Sequence, residues 1–272
     1  MNMGRVFFIG AGPGDPELLT LKGQRLISEA DLVLYAGSLV PPEVVACAKK
    51  GARVEDSAPL CLEETHALMR DCALGGGMVA RVHTGDPSLY GAVREQARLL
   101  DADGIPWEVV PGVSAAFAAA AAGKVSFTVP ETTQTLIITR LEGRTPVPER
   151  ERLRALAAHG SSLAIYLSAS EPDRMQEELL AVLPPETPIL CACRAGWPDQ
   201  RMAWARADTP VRRSFWCFPD SPARMTVHAS MTRHSRTAGG GGHAGPTVRT
   251  ERFVFEDICR SVPRAPARRF HA

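Results

Sequence analysis

Short apolar runs recur along the first two thirds of the chain, and amphipathic stretches separate them. Residues 6–9 (Val-Phe-Phe-Ile) form an unbroken apolar run that ends in glycine, which predicts a strand buried on both faces. Asp15-Pro16 reads as an N-cap followed by a first helical residue, leading into a helix over residues 18–28. The same alternation predicts a strand at 32–35, a helix over 42–49 and a short strand at 53–55. A helix over 63–73 follows, closed by Gly75-Gly76-Gly77. Strands at 78–83 and 107–110 flank a helix over 89–100. Pro111-Gly112-Val113-Ser114 then opens an alanine-rich helix. This β-α succession predicts a mostly parallel sheet.

A second block begins near Thr132, with strands at 136–139, 162–167 and 189–193 and helices over 148–158 and 171–183. Residues 123–131, with Gly123 and Pro130 near the ends, read as a linker. The fold class is therefore α/β with two lobes, residues 1–123 and 132–206, and a cleft between them. Past residue 206 the periodicity stops, and Arg, His, Thr, Pro and Gly dominate around Gly239-Gly240-Gly241-Gly242. Apart from one short element at 251–258, residues 207–272 are expected to be a divergent, poorly ordered tail that leaves the second lobe incomplete.

Charge sharpens that boundary. The formal net charge of the chain is +1, but residues 1–206 hold 20 basic and 25 acidic side chains, and residues 207–272 hold 11 and 5. Two readings of the tail stay open, a changed reading frame and a genuine basic extension that binds nucleic acid. The seven cysteines include no Cys-x-x-Cys pair, so neither a zinc site nor a disulfide framework is indicated. Cys191-x-Cys193 reads as core. No apolar run approaches the ~20 residues that span a membrane, and no export signal is read at Met1–Arg5. A cytoplasmic protein with reduced thiols is expected.

Three glycine-containing loops carry the candidate chemistry, each after a predicted strand: residues 10–15, 84–88 and 111–114. In a parallel sheet they share one edge, where α/β proteins bind ligands. The first has the spacing Gly-x-Gly-x-Gly, Pro13 removes an amide, and no Gly-Lys-Ser/Thr is present, so a dinucleotide or P-loop phosphate is not indicated. Asp86 is placed to accept from a ligand hydroxyl or amine, and Ser114 to cap its helix. The histidines at 66, 83 and 159 read as surface or packing residues and not as a catalytic triad.

Together these segments resemble the tetrapyrrole (cobalamin-type) methyltransferase family. The matching text is residues 6–16, Leu19-Thr20-Leu21-Lys22-Gly23, His83-Thr84-Gly85-Asp86-Pro87, residues 109–114 and residues 134–140. The likeness runs in register over residues 5–205. Tyr35-Ala36-Gly37-Ser38-Leu39-Val40, Thr128-Val129-Pro130-Glu131, residues 139–148 and Trp197-Pro198-Asp199 are similar to the branch that methylates C11 of precorrin-4.

The resemblance implies S-adenosylmethionine held between the lobes, with contacts at Pro13, Thr84, Gly85, Asp86, Leu89, Ser114, Ala115, Leu167 and Ala195. It implies a tetrapyrrole substrate, precorrin-4 or its cobalt form, and a homodimer, with neither a metal site nor a nucleic acid or membrane partner. Arg140 and Arg144 suit the carboxylates of such a macrocycle by bidentate pairing, and Arg81 and His83 are further candidates. Another precorrin position as the target and an inactive homologue are the competing readings. A nicotinamide oxidoreductase is disfavoured by Pro13. No catalytic side chain is assigned, because methyl transfer from a sulfonium to an electron-rich carbon needs alignment rather than a protein nucleophile.

Overall fold

The computed structural model describes residues 3–143, 145–209 and 225–229. The first five strands, β1 (Arg5–Gly10), β2 (Leu32–Tyr35), β3 (Arg53–Asp56), β4 (Met78–His83) and β5 (Trp107–Val110), form one sheet in the order β3-β2-β4-β1-β5. Every pairing in it is parallel. Both faces are covered, as an all-parallel sheet requires. Phe7, Ile9, Ala80 and Val82 pack against α1 (Leu21–Glu29) and α2 (Pro42–Val45). Val6, Phe8, Leu34 and Val79 pack against α3 (Leu62–Leu74) and α4 (Val93–Ala102).

The second sheet is mixed. It contains β6 (Leu136–Arg140), β7 (Ser162–Tyr166), β8 (Pro188–Cys193), β9 (Arg201–Arg206) and β10 (Met225–Ala229), in the order β6-β7-β10-β8-β9. β6 and β7 are parallel, whereas β10 runs antiparallel to both β7 and β8, and β9 antiparallel to β8. Strand alternation divides its core cleanly. Leu163, Ile165, Ile189 and Cys191 face α6 (Leu153–Ala157) and α7 (Pro172–Leu180). Ala164, Tyr166 and Ala192 face α5 (Ala115–Ala122). Thus α5, although it lies within residues 1–123, covers the second sheet. Its Ala116, Ala119 and Ala120 are buried there, and their small side chains let the helix lie close. Cys191 and Cys193 are core residues, and burial pushes the Cys191 thiol up to about 12.

Several sequence boundaries are corrected. The helix expected from residue 18 is two pieces, a 3-10 turn Pro16–Leu18 capped by Asp15, then α1 capped by Thr20, whose Oγ1 accepts from Gly23 N at 3.1 Å. α2 stops at Val45 and not at residue 49. α4 starts at Val93 and not at 89, because Tyr90 and Ala92 take left-handed backbone angles (φ 56° and 50°). Most important, the second sheet has a closing strand. Residues 225–229, within the stretch expected to be irregular, pair on both sides as β10. The rest of the proposed tail, including residues 251–258, lies outside the described residues.

The close seat of α5 predicts that Ala119→Leu, at 2% exposure against Ala192 and Ala195, overpacks this layer. A loss of about 1–3 kcal/mol is expected, read as a lower urea midpoint with an unchanged slope.

Candidate functional site

β4, β1 and β5 are neighbours, so the three glycine loops emerge side by side. They touch backbone to backbone. A Cβ on Gly10 would lie 2.5 Å from Gly112 Cα and 2.7 Å from the Gly85 carbonyl oxygen, and one on Gly112 would lie 2.3 Å from that same oxygen. Gly85 N donates to Gly12 O at 2.7 Å, and Gly12 N donates to Gly85 O at 3.2 Å. Ala11 N donates to His83 O at 2.7 Å, continuing the ladder beyond β1.

Asp86 clamps the second loop to the third. Its Oδ2 accepts from Gly112 N at 2.9 Å, and its Oδ1 accepts from Ser88 N at 2.9 Å and from the Ser88 hydroxyl. Partial burial raises its pKa, but these three hydrogen bonds outweigh that and hold the carboxyl below its ordinary value. Three of about four lone-pair positions are therefore committed to protein donors, a second duty that residue spacing does not signal.

Two polar contacts among the described residues link the second sheet and its connections to the glycine-loop segments. The Tyr166 hydroxyl, at the end of β7, accepts from Ala116 N at 2.8 Å and shares a hydrogen bond with Ser114 Oγ at 2.6 Å. Ser114 does occupy the N-cap position of α5, but its side chain makes no capping bond. Tyr166, from another strand, supplies that acceptor instead, which corrects the expected role of Ser114. Burial raises the Tyr166 pKa, with the bonds from Ser114 and Ala116 opposing, so the hydroxyl keeps its proton at neutral pH. The Tyr90 ring lies 5.7 Å from the Tyr166 ring.

At the second contact the Trp197 indole Nε1 donates to Pro13 O at 3.0 Å. The ring lies on Gly14, where a Cβ would come within 2.2 Å of it. The Arg194 guanidinium stacks over the Trp197 ring at 3.9 Å and donates from Nε to Asp199 at 2.7 Å. Leu167 (φ 53°) and Arg194 (φ 52°) are left-handed without being glycine. Such strain concentrates at functional sites.

A cavity of about 300 Å³ opens beside the second loop, bordered by Thr84, Leu89, Tyr90, Ser57, Gln96 and Arg81. Contacts thus link most of the residues proposed from sequence. Gly196 approaches Pro13, a Cβ on Gly85 would lie 3.9 Å from Ala115 N, Leu167 directly follows β7, and Ala195 lies between β8 and Trp197. Arg140 is held by its own loop, donating to Leu141 O at 3.0 Å and Thr145 O at 3.2 Å, without an ion pair among the described residues. Arg144 lies outside the described residues. His66 faces Asp103 at 2.8 Å from α3, His83 ends β4 against Phe8, and His159 is in the turn after α6. Tyr166, Tyr90 and Trp197 are the site residues that sequence reasoning did not assign.

The chain matches the family model described as Tetrapyrrole (Corrin/Porphyrin) Methylases over residues 5–209. It is 48% identical over 199 residues to a cobalt-precorrin-4 C(11)-methyltransferase of Priestia megaterium, covering 73% of this chain and 77% of that one. It is 49% identical over 195 residues to a precorrin-4 C(11)-methyltransferase of Pseudomonas aeruginosa, covering 72% and 78%. A solved cobalt precorrin-4 methyltransferase aligns with a TM-score of 0.77 at 42% identity, covering 83% of this chain and 94% of that one. A uroporphyrin-III C-methyl transferase from Thermus thermophilus, complexed with S-adenyl homocysteine, aligns at 0.66 with 31% identity, covering 83% and 92%.

Gly112→Ala is expected to cost about 1–3 kcal/mol by forcing the crossing apart, measured by chemical denaturation. Asp86→Asn gives a pH signature. A carboxyl whose folded pKa is depressed stabilises the fold fully above its unfolded value, near 4, and loses that contribution as pH falls through the folded value. The stability gap between the native protein and Asp86→Asn is therefore largest at neutral pH and shrinks below pH ~4. Paired urea titrations at pH 7 and pH 3 measure it.

Proposed function

Because the chain belongs to the tetrapyrrole methylases, we propose that it transfers a methyl group from S-adenosylmethionine to C11 of precorrin-4, giving precorrin-5 in corrin-ring assembly. The observation that carries this reading is the near-half identity, over most of both chains, to relatives named for that reaction.

The residues fit the cofactor. None of residues 10–15, 84–88 or 111–114 is Lys or Arg, and Asp15 and Asp86 lie in those loops. That donor set suits a sulfonium cation and not a phosphate. The Gly10–Gly85–Gly112 crossing leaves no side chain between the loops and any ligand drawn against them. By position Pro13, Thr84, Gly85, Leu89, Ser114, Ala115, Leu167 and Ala195 would line the cofactor, with Asp86 offering its one uncommitted lone-pair position.

When bound, S-adenosylmethionine supplies an electrophilic methyl group on a positively charged sulfur. The electron-rich C11 of the macrocycle would take that methyl group with a π pair, leaving the electrons of the carbon–sulfur bond on sulfur, and the methylated product would lose a proton. The protein needs no nucleophile for this step. The loops and α5 fix the approach line. The Trp197–Pro13 contact and the buried Tyr166–Ser114 pair hold the two sheets together and keep water from the reacting centre.

A homodimer in the cytoplasm goes with the resemblance. Among the described residues no helix is long and apolar enough to cross a membrane. Calorimetry with S-adenosylmethionine should show saturable binding, and incubation with precorrin-4 should add one methyl group at C11. The relatives acting on the cobalt-containing and cobalt-free substrates are equally similar, so both macrocycles belong in the assay. No binding of S-adenosylmethionine would refute the enzyme reading, and binding without turnover of either macrocycle would leave another precorrin position or an inactive homologue.

A further inference from the structure

Arg81 is a buried cation without a counter-ion. It lies on β4, on the sheet face that packs against α3 and α4, and is 9% exposed. Its Nε donates to Gln96 Oε1 at 3.0 Å, and its Nη1 donates to Leu34 O at 3.2 Å and Ser57 Oγ at 2.8 Å. All three acceptors are neutral. None of its described hydrogen bonds uses Nη2, and among the described residues no carboxylate pairs with it. Asp56 acts on it only through space, with its own Oδ1 turned to the amides of Gly37 and Ala58, each at 2.8 Å. Burial draws the guanidinium down to about 10, a direct mark of missing compensation.

Arginine is seldom buried unless paired, and an uncompensated buried charge is costly. The resolution lies in the 300 Å³ cavity, which Arg81 borders. Of the residues that line it, Arg81 alone is an Arg, Lys, Asp or Glu. Nη2 is not among the sealed polar atoms left without a partner among the described residues. The cavity adjoins Thr84 and Leu89, at the loop that meets the other two glycine loops. It is too small for a whole tetrapyrrole and large enough for one carboxylate-bearing arm of its periphery.

We propose that Arg81 is the counter-ion for one substrate carboxylate. The cavity receives a single acetate- or propionate-type arm, and its oxygens pair with Nη2. Ser57 and Gln96 serve as positioning residues, because they hold the other two guanidinium nitrogens and so fix the direction in which Nη2 points. The macrocycle is thereby registered against the methyl donor by an arm remote from the reacting carbon. This inference rests on the methyltransferase reading.

The test compares the native chain with Arg81→Met and Arg81→Lys. Three quantities are measured: precorrin-4 affinity and turnover, S-adenosylmethionine affinity by calorimetry, and the thermal midpoint. Arg81→Met should raise the precorrin-4 Kd and KM by about 10- to 100-fold, far more than it lowers kcat. Its affinity for S-adenosylmethionine should stay within about twofold, and its midpoint should hold or rise as the unpaired charge disappears. Arg81→Lys should recover part of the loss. An unchanged precorrin-4 affinity in Arg81→Met overturns the proposal, as does a loss that falls equally on S-adenosylmethionine. If Arg81→Met does not fold, Arg81→Gln, which also removes the charge, is judged by the same criteria. If the native chain binds precorrin-4 but does not methylate it, the C11 reading fails while the affinity comparison still judges Arg81.

Discussion

Three backbones crossing at van der Waals distance set the terms for the rest of the molecule. Gly10 ends β1, Gly85 and Gly112 lie two residues beyond the ends of its neighbours β4 and β5, and no side chain fits between the three. Parallel pairing brings the loops to one edge, and the glycines let them close on each other. Asp86 then locks the second loop to the third through a single carboxylate. The first sheet is therefore a rigid wall whose edge is made of main chain, with little freedom for any one loop to move alone. A surface of that kind recognises a ligand by shape and backbone polarity. This explains why the site carries so few of the charged or nucleophilic side chains that usually mark an enzyme.

The second sheet contributes by reaching across. Tyr166 ends β7 and Trp197 lies in the turn between β8 and β9, and each makes a polar contact to a backbone group beyond its own sheet, Ala116 N and Pro13 O. Each also requires small residues opposite. Trp197 needs Gly14, and α5 needs the alanines that bring its N-terminus to Tyr166. Arg81 follows a different logic, with a permanent charge placed where the protein itself offers only neutral acceptors.

Much of this was legible in the chain. Residues 6–9 and 32–35 are unbroken hydrophobic runs, and the three glycine loops are contiguous motifs, so both could be read locally. The start of α4 could not be, because Tyr90 and Ala92 adopt left-handed angles that their side chains do not signal. Tyr166 was hidden because its hydroxyl partners lie some fifty residues away, at Ser114 and Ala116. Asp86 stood out by its place in a glycine loop, but its bond to Gly112 depends on a loop-to-loop approach that spacing does not reveal. β10 escaped because five residues in an arginine- and proline-rich stretch give no periodicity long enough to stand out.

That fifth strand of the second sheet has a consequence for how the chain is made. The first sheet has all five of its strands once residue 110 has been synthesised. The second stays incomplete for longer, because its central strand is the last in sequence and fills the gap between β7 and β8. Until residue 229 emerges, two apolar strand edges wait unpaired on a nascent chain whose first lobe is already folded. Such edges invite association with other chains. The yield of folded protein should therefore depend on the time between translation of β8 and of β10, so synonymous changes that slow the ribosome between residues 206 and 225 would alter solubility without altering a single side chain.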